Sequence, residues 1–237
     1  MTTVLHKAAT RGHAAHGWLD SWHTFSFADY HDPERMHFGV LRVLNDDTVA
    51  PGMGFGKHPH DNMEIISIPL EGALEHQDSM GTKQVIRQGD VQSMSAGTGI
   101  AHSEKNKSNT APVKFLQIWI FPDQKNVTPR YDQKTVSAAD RKNKFATVVS
   151  PMNDNSESVH IHQDAWFSLG DLEKGTSVSY QLKKSGNGVY FFLLEGEVEI
   201  NTIVLNRRDG VGFTDTEIFS IKATADAQLL VMDVPMN

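Results

Sequence analysis

Four side chains, arranged as two short pairs, are the residues of this chain best suited to chemistry. His58 and His60 flank a proline, and His102 and Glu104 flank a serine further along the chain. In an extended strand, side chains two positions apart emerge from the same face, ~6–7 Å apart along the chain. Imidazole and carboxylate groups bind metals at ~2.0–2.2 Å. Two such strands facing each other across a barrel predict a mononuclear metal site with room for a substrate.

The donor atoms of this set narrow the choice of metal. Nitrogen and oxygen ligands without sulfur suit iron, manganese, cobalt, nickel or copper, and two histidines with one carboxylate form the oxygen-activating iron arrangement. A third histidine still leaves positions free for a substrate oxygen and dioxygen together. The alternative is that the histidines lie in loops at a barrel rim and that Glu104 is a surface carboxylate. Two pairs on separate strands, each approached through glycines, favour the metal site.

Composition and charge exclude several classes of protein. The 237 residues include 22 Lys and Arg against 29 Asp and Glu, which gives a formal net charge of −7 and argues against a basic face for nucleic acid. No apolar run approaches the ~18 residues that span a bilayer, and the N-terminus lacks the apolar core of a secretory signal. Cysteine is absent, so no disulfide or thiolate ligand is available. We expect a cytoplasmic protein with neither nucleic acid nor membrane as a partner.

The spacing of glycine and proline predicts a chain made almost entirely of β-strands. The segments between these residues are short, alternate in polarity and are rich in β-branched and aromatic residues, as in an antiparallel sandwich or barrel. The clearest predicted strands are Phe38–Leu44, Met63–Leu70, Leu74–Asp78 and Lys114–Phe121. Helical structure should be limited to Ser137–Arg141 and a turn near Pro33–Met36.

An internal echo predicts a duplicated domain. The segment Ile68–Glu75 is matched by Phe192–Glu199, and each is followed by a turn, another strand and a glycine turn that contains aspartate. Coincidence in a strand-rich chain is the alternative, but the equal position within each half favours duplication. The polar stretch Pro122–Lys144 would be the linker, with the boundary near residues 130–140. Histidine is absent from the second copy, Gly186–Val234, so we expect that copy to have a structural role.

The sequences of the two motifs resemble those of the cupin superfamily and, within it, those of the pirin family. The stretch from Gly52 to Gly72 resembles the first cupin motif, and Gly89 to Glu104 resembles the second, with Ser95 where proline is usual. The strings HGWLDSWHTFSFADYHDP, HPHDNMEI, LEG, EHQDSMG, MSAGTGIAHSE and QIWIFP resemble bacterial pirin-like proteins with quercetin 2,3-dioxygenase activity. The resemblance covers nearly all of residues 6–130. It implies an all-β fold of two cupin barrels in tandem, residues 1–130 with the metal and 140–237 without metal ligands.

The resemblance also implies the metal ligands. The family's ligand positions correspond to His58, His60, His102 and Glu104. They would hold one divalent ion, normally Fe²⁺ in that family, with nickel, cobalt, manganese, copper or zinc as alternatives. In many other cupins the residue at the position of Glu64 is the carboxylate ligand of the metal, whereas in pirins the residue at the position of Glu104 has that role. We therefore expect Glu64 to support the fold or a ligand rather than to bind the metal.

The activity that the resemblance implies is that of a dioxygenase that cleaves flavonols such as quercetin with O₂ and loss of carbon monoxide. Glu104 would take the proton of the hydroxyl next to the flavonol carbonyl, a role that requires hydrogen-bond reach. Two alternatives stay open: a redox-sensitive regulatory binding protein, as animal pirins suggest, and a cupin enzyme that acts on another small aromatic substrate. The expected partners are a flavonol-like aromatic and O₂, and the expected state is a monomer.

Other histidines and aromatic residues allow both structural and functional roles. His76 would either orient a metal ligand or pack within a strand. We expect His160 and His162 to lie on a surface strand rather than in a second metal site. Packing roles are expected for Trp18, Trp22, Phe25 and Phe27. The apolar lining of a cavity for a flat aromatic ligand would come from residues such as Phe38, Met53, Phe55, Met63 and Ile65.

Overall fold

The computed structural model describes residues 2–237, and these form β-structure almost throughout. Within them, helical structure is limited to one α-helix at Ala138–Arg141 and one 3-10 turn at Ala8–Thr10. Ser137 caps the α-helix by accepting a hydrogen bond of 3.2 Å from the backbone N–H of Asp140. The all-β prediction is confirmed, and the helix lies where it was predicted. No helix described in residues 2–237 is long and apolar enough to cross a membrane.

The first half of the chain forms a barrel from two sheets of antiparallel strands. The strands up to residue 135 are β1 (Thr2–His6), β2 (Gly12–Ala15), β3 (Leu19–His23), β4 (Leu41–Val49), β5 (Gly54–His60), β6 (Glu64–Glu71), β7 (Ala73–Asp78), β8 (Lys83–Arg87), β9 (Asp90–Ser95), β10 (Ile100–Asn106), β11 (Val113–Ile120) and β12 (Arg130–Thr135). The larger sheet has the order β12-β9-β6-β11-β4-β3-β2, and the smaller sheet has the order β5-β10-β7-β8.

The second half repeats this plan, except that β13 and β14 pair in parallel. Its strands are β13 (Ala146–Pro151), β14 (Val159–Ile161), β15 (Trp166–Leu172), β16 (Ser177–Gln181), β17 (Asn187–Glu195), β18 (Glu197–Ile200), β19 (Ile203–Asn206), β20 (Gly210–Thr214), β21 (Ile218–Ala223) and β22 (Ala227–Pro235). The larger sheet has the order β1-β20-β17-β22-β15-β13-β14, and the smaller sheet has the order β16-β21-β18-β19.

The first strand belongs to the sheet of the second barrel. β1 pairs with β20, from Thr2 opposite Thr214 to His6 opposite Gly210. In the other direction, β12 pairs with β9 and extends the first barrel beyond residue 130. The division at residues 1–130 differs from this arrangement, because a strand of five residues carries no sequence signal for the sheet edge that it will join.

The internal echo corresponds to equivalent turns in the two barrels. Gly72 joins β6 to β7 and Gly196 joins β17 to β18, with φ of +79° and +86°. In each case the turn carries the chain from the larger sheet to the smaller one. A left-handed conformation at this point favours glycine, since any other residue would bring its Cβ into steric conflict.

The two larger sheets pack face to face and bury a core that both barrels share. Along β17, Tyr190 and Phe192 lie in this shared core, whereas Phe191 lies inside the second barrel. β6 of the first barrel contributes Ile66 and Ile68 to the shared core. Successive side chains of a strand point to opposite faces. A strand such as β17 is therefore apolar on both faces, because one face lies in the shared core and the other inside its own barrel.

The interior of the second barrel is filled by large apolar side chains. The rings of Phe191, Phe213 and Phe219 lie 5.2–6.0 Å apart between centroids and are almost fully buried. Such close packing leaves a hydrophobic core at the place where the first barrel has its polar side chains. This agrees with the structural role expected for the second half.

Most predicted strands agree with the structure to within one residue at each end, but Phe38–Leu44 does not. The strand β4 begins only at Leu41, because Gly39 takes a left-handed φ of +53° in the turn before it. Phe38 packs into the shared core instead. The segment Pro33–Met36 contains the expected turn and no helix.

Candidate metal centre

The four predicted ligands lie on two neighbouring strands of the smaller sheet of the first barrel. β5 carries His58 and His60, and β10 carries His102 and Glu104. His102 pairs directly with His58, and a bulge separates His102 from Glu104. Pro59 is tolerated because β5 is the edge strand of its sheet. The prediction that the two strands face each other across the barrel is therefore wrong, since they are adjacent and antiparallel.

Three of the four side chains converge. The ring centroids of His58, His60 and His102 lie 4.5–5.0 Å from one another. One nitrogen of each ring lies within 4.8 Å of the nitrogens of the other two. Ligands that share an ion at bonds of ~2.1 Å are at most ~4.2 Å apart. The three nitrogens are therefore close to the separation that a shared ion requires.

Burial keeps two of these rings, His60 and His102, in the neutral form that binds metals. Burial, followed by the charge of His58, lowers the pKa of His60 to about 4. Burial, followed by the neighbouring histidines, lowers the pKa of His102 to about 2. His58 Nδ1 lies 2.8 Å from the Gly56 carbonyl oxygen and donates to it in the tautomer that leaves Nε2 unpaired. The Nε2 atom of His102 is buried without a hydrogen-bond partner. Neutral imidazoles with an unpaired nitrogen are suitable metal ligands.

Glu104 lies beside this cluster of imidazoles. Its carboxylate accepts hydrogen bonds of 3.1 Å from Ser67 Oγ and 2.7 Å from Gln117 Nε2, which reach it from the larger sheet across the barrel. It forms a second close group with His76 and His102, whose ligand atoms lie within 4.8 Å of one another. The structure thus groups three predicted ligands together and groups the fourth, Glu104, with only one of them.

The environment of Glu104 suits a neighbouring cation. Burial raises the pKa of this carboxyl to about 7, although the hydrogen bonds from Ser67 and Gln117 oppose the shift. At neutral pH the group is therefore close to the midpoint between its protonated and charged forms. A bound metal ion would favour the charged form and release the proton. The unpaired His102 nitrogen and the sulfur-free donor set both fit a transition metal at this place.

His76 contributes a chain of hydrogen bonds behind the cluster. Its Nε2 lies 3.0 Å from Asp78 Oδ2, and its Nδ1 lies 3.5 Å from His102 Nδ1, at the outer limit of a hydrogen bond. With neutral rings, His76 donates to Asp78 and accepts from His102. That tautomer leaves the His102 Nε2 lone pair free on the side of His58 and His60. Of the two roles predicted for His76, orientation of a metal ligand fits this contact.

Other residues considered in the sequence lie outside the cluster. Glu64 lies on the face of β6 that carries Ile66 and faces away from the barrel interior, and its carboxylate accepts a hydrogen bond of 2.8 Å from Ser95. It therefore supports the fold, as one of the expected roles stated. His160 lies on β14 with Nε2 3.2 Å from a backbone carbonyl, and His162 follows that strand. Neither belongs to a candidate ligand group in residues 2–237.

A cavity of about 120 Å³ opens beside the cluster. Its apolar walls come from both the barrel and the segment that follows β3. The lining side chains are Ala14, His16, Leu19, Ser21, His23, Phe27, Ala28, Asn45, Asp47, Phe55, His58, Glu104, Gln117 and Trp119. An apolar pocket with a few converging polar groups is the usual form of a small-molecule site.

Only part of the predicted lining is found in this cavity. Phe55 lines it, but Phe38 lies in the shared core, Met53 is exposed, and Met63 and Ile65 pack in a separate cluster. Phe27, expected to have a packing role, lines the cavity as well. Periodicity alone cannot establish which face of a short strand turns inward when both faces are apolar. Trp18 and Phe25 have the expected packing roles.

Several polar residues of the site were not predicted. Asn45, Asp47 and Gln117 line the cavity, and Ser67 lies beside them within the barrel. Gln117 and Ser67 interrupt largely apolar strands, as in KFLQIWIF, whereas Asn45 and Asp47 lie in the polar second half of β4. A polar residue at an inward position of a buried strand is a usable signal, because an unpaired polar group there is costly.

Comparison with family models agrees with this arrangement. The model described as Pirin matches residues 4–120 of the chain. The model described as quercetinase C-terminal cupin domain matches residues 147–234. The two matches correspond to the two barrels, except that β1 pairs with the second barrel and that β12 of the first barrel lies beyond the first match.

Individual relatives match over nearly the whole chain. The protein named quercetin 2,3-dioxygenase from Escherichia coli strain K12 is 45% identical over 231 residues, which are 98% of each chain. The pirin-like protein of Caulobacter vibrioides is 42% identical over 222 residues, which are 94% of this chain and 95% of the relative. The crystal structure of the bacterial pirin YhhW from Escherichia coli in complex with nickel(II) has 43% sequence identity and a TM-score of 0.93 and covers 99% of each chain. The chain is therefore a member of the pirin family, with its fold of two cupin barrels.

Proposed function

We propose that this protein is a metal-dependent dioxygenase that cleaves flavonols such as quercetin with O₂ and loss of carbon monoxide. The observation that carries the proposal is the position of Glu104, a buried carboxyl group that lies beside the histidine cluster, close to His102, and lines an aromatic-walled cavity. The relative named quercetin 2,3-dioxygenase supports the same reaction through its identity of 45% over nearly the full length.

We assign the metal ligands on the same grounds. The proposed ligands of one divalent ion are His58, His60, His102 and Glu104. We propose iron as the metal in the cell. Nickel also suits a donor set of three imidazoles and one carboxylate, and the pirin YhhW has been crystallised in complex with nickel(II). When bound, the metal would supply Lewis acidity and a site for dioxygen.

Glu104 is the group that we propose takes the proton from the flavonol hydroxyl next to the carbonyl. Burial raises the pKa of Glu104 to about 7 in the metal-free site, and a bound metal would favour the charged form, which is the form that can accept a proton. Gln117 and Ser67 hold the carboxylate in place and stabilise its charged form by donating to it. The charge that develops on the carboxylate is thus balanced by donors that are already oriented.

The cavity walls would bind the flat ring system and keep water out. Phe27, Phe55 and Trp119 present aromatic surface to the cavity, and Leu19 adds an aliphatic contact. Apolar walls favour an aromatic ligand over water and strengthen the electrostatic interactions of Glu104.

The volume of the cavity favours a second candidate function, turnover of a smaller aromatic compound. Pockets for drug-sized ligands measure about 300–1,000 Å³, whereas this cavity measures about 120 Å³. A flavonol therefore requires either a shift of the segment that carries Phe27 and Ala28 or an end that projects from the mouth. A monohydroxylated or dihydroxylated single ring fits without either change.

The test is aerobic turnover by protein loaded separately with Fe²⁺ and Ni²⁺. We expect loss of quercetin absorbance, with O₂ uptake and carbon monoxide release in equal amounts. Glu104→Gln should lower the rate by about 100-fold or more, as loss of a proton acceptor does. Glu64→Gln is the matched control, because burial also raises the pKa of Glu64 to about 7 and a serine also donates to it. This control should retain wild-type turnover.

Two results would contradict the proposal. Wild-type protein with stoichiometric metal that consumes neither quercetin nor O₂ would exclude flavonols, and turnover of single-ring aromatics by the same sample would establish the second candidate. Equal rates for the Glu104→Gln and Glu64→Gln proteins would exclude the role of Glu104. The monomeric state and cytoplasmic location expected from the sequence stay predictions.

A further inference from the structure

A row of polar side chains crosses the larger sheet of the first barrel. The paired positions on neighbouring strands are Gln92, Ser67, Gln117, Asn45 and His23, on β9, β6, β11, β4 and β3. Directly paired residues project from the same face of a sheet. Neighbouring strands are ~4.8 Å apart, so His23 lies about 10 Å along the row from Gln117.

The middle of this row is occupied by contacts to Glu104. Gln117 donates to Glu104 at 2.7 Å, and Ser67 lies within hydrogen-bond distance of both. These side chains satisfy one another around the carboxylate that we place at the metal. Gln117 and Ser67 therefore act at the end of the cavity where we place the metal.

The far end of the row lacks such partners. The distal polar wall comprises Ser21, His23, Asn45 and Asp47, all of which line the cavity and are at most 3% exposed. Ser21 pairs with Asp47 and donates to its carboxyl group. Asn45 Oδ1 and His23 Nδ1 are buried without a hydrogen-bond partner within the described chain. A buried polar atom without a partner costs free energy that a bound ligand can recover.

We propose that the distal polar wall is a second recognition site, which binds hydroxyl groups of a polyphenol at the end remote from the metal. This inference rests on the proposed function, because it takes a flavonol-like aromatic as the ligand. It assigns specificity to residues that contact neither the metal ligands nor the reacting atoms. The substrate class is thereby narrowed from flat aromatics to aromatics that carry hydroxyl groups on the ring that lies farthest from the metal.

The chemistry of the distal polar wall matches phenolic hydroxyl groups. A phenol both donates and accepts, and so do a neutral imidazole and a carboxamide. Burial, followed by the charge of Arg11, lowers the pKa of His23 to about 4, so the ring is neutral. Burial raises the pKa of Asp47 to about 7, despite the hydrogen bond from Ser21. None of these groups carries a positive charge that would select a carboxylate or a phosphate instead.

The experiment measures binding to Ni²⁺-loaded protein in the absence of O₂, so it does not depend on turnover. Trp119 lines the cavity, and its fluorescence should report a bound aromatic. The probes are 3-hydroxyflavone, which has only the hydroxyl next to the carbonyl, galangin, which adds two on the fused ring, and quercetin, which adds two more on the other ring. The proteins are wild type, His23→Phe, Asn45→Leu and a control, Gln92→Leu. Gln92 is a buried amide of the same row with an unpaired Nε2 but lies outside the cavity.

The expected result is a gain of about tenfold in affinity for each added hydroxyl that reaches the distal polar wall. His23→Phe and Asn45→Leu should abolish that gain, while their affinity for 3-hydroxyflavone stays within about twofold of wild type. The Gln92→Leu protein should keep the wild-type pattern.

Three other results would overturn the inference. If wild type bound all three probes with equal affinity, the second recognition site would be excluded and the proposed function would be unaffected. This comparison needs no variant. An equal loss for every probe in the His23→Phe and Asn45→Leu proteins would show that these residues only support the fold. Failure of wild type to bind any of the three probes would contradict the flavonol substrate itself, and with it the inference.

Discussion

Gln117 and Glu104 join the two sheets of the first barrel through a hydrogen bond of 2.7 Å. Gln117 lies on β11 of the larger sheet and Glu104 on β10 of the smaller one, and both side chains are largely buried. The contact links the proposed proton acceptor to the polar row that leads to the far end of the cavity. Its energetic effect is to favour the charged carboxylate in an environment that otherwise opposes it.

Replacing Gln117 should therefore change the pH dependence of metal binding. In the metal-free Gln117→Leu protein the carboxylate loses a donor to its charged form, so the pKa of Glu104 should rise above about 7. Because metal binding must release that proton, the affinity for Ni²⁺ at pH 7 should fall by about tenfold and recover towards higher pH. The measurement is the affinity for Ni²⁺ at several pH values in variant and wild type. A lower affinity with an unchanged pH dependence would mean that Gln117 acts only through packing.

Glu64 should make the protein less stable as the pH rises. Burial raises its pKa to about 7 from an ordinary value of 4.5, so between these values the folded state keeps a proton that the unfolded state has lost. Stability present below pH 4.5 is then lost as the pH rises towards 7. The Glu64→Gln side chain stays neutral, so the stability of the variant relative to wild type should increase by about 1–3 kcal/mol between pH 4.5 and 8. Urea unfolding at several pH values measures this difference, and a constant difference would refute the assignment.

Asp78 should affect metal affinity through His76. The Asp78→Asn protein keeps an oxygen for the turn at Met80 and Thr82 but loses the charged acceptor that orients His76. We expect metal affinity to fall about 10- to 100-fold, as when a hydrogen-bond partner behind a ligand is removed. Competition with a chromophoric chelator for Ni²⁺ measures the change. Asp132→Asn is the control, since Asp132 lies 3.9 Å from His160, away from the candidate cluster. Equal metal affinities in the two variants would argue against an effect of Asp78 on the metal ligands through His76.

The mouth of the cavity should limit the size of the substrate. Phe27 is half-buried, lines the cavity and precedes Ala28, whose φ of +49° is unusual for a residue other than glycine. Phe27→Ala should raise kcat/KM for quercetin by about tenfold relative to a single-ring substrate, because it removes bulk where the flavonol projects. Phe121→Ala, at an exposed aromatic outside the cavity, is the control. A proportional loss for both substrates would show that Phe27 is needed for binding or stability.

The sequence predicts the fold class and the identity of the histidine cluster because these depend on short-range patterns. Alternation, turn residues and the spacing of His58, His60, His102 and Glu104 are all local properties of the chain. The echo around Gly72 and Gly196 likewise reflects the need for a left-handed residue at equivalent turns.

The remaining features depend on contacts between distant segments. The pairing of β1 with the second barrel and the adjacency of β5 and β10 follow from strand order, which local patterns do not encode. The distal polar wall arises from register, since Asn45 meets Gln117 on one side and His23 on the other. Such a row becomes visible only when the pairing of three strands is known.

The central claim concerns four ligands around one ion, and X-ray diffraction from Ni²⁺-loaded crystals tests it most directly. Anomalous scattering at the nickel edge should give a single peak in the first barrel. That peak should lie ~2.0–2.2 Å from one nitrogen each of His58, His60 and His102 and from a carboxylate oxygen of Glu104. A nickel ion bound by the three histidines with no oxygen of Glu104 within bonding distance, or a peak elsewhere in the chain, would contradict the account.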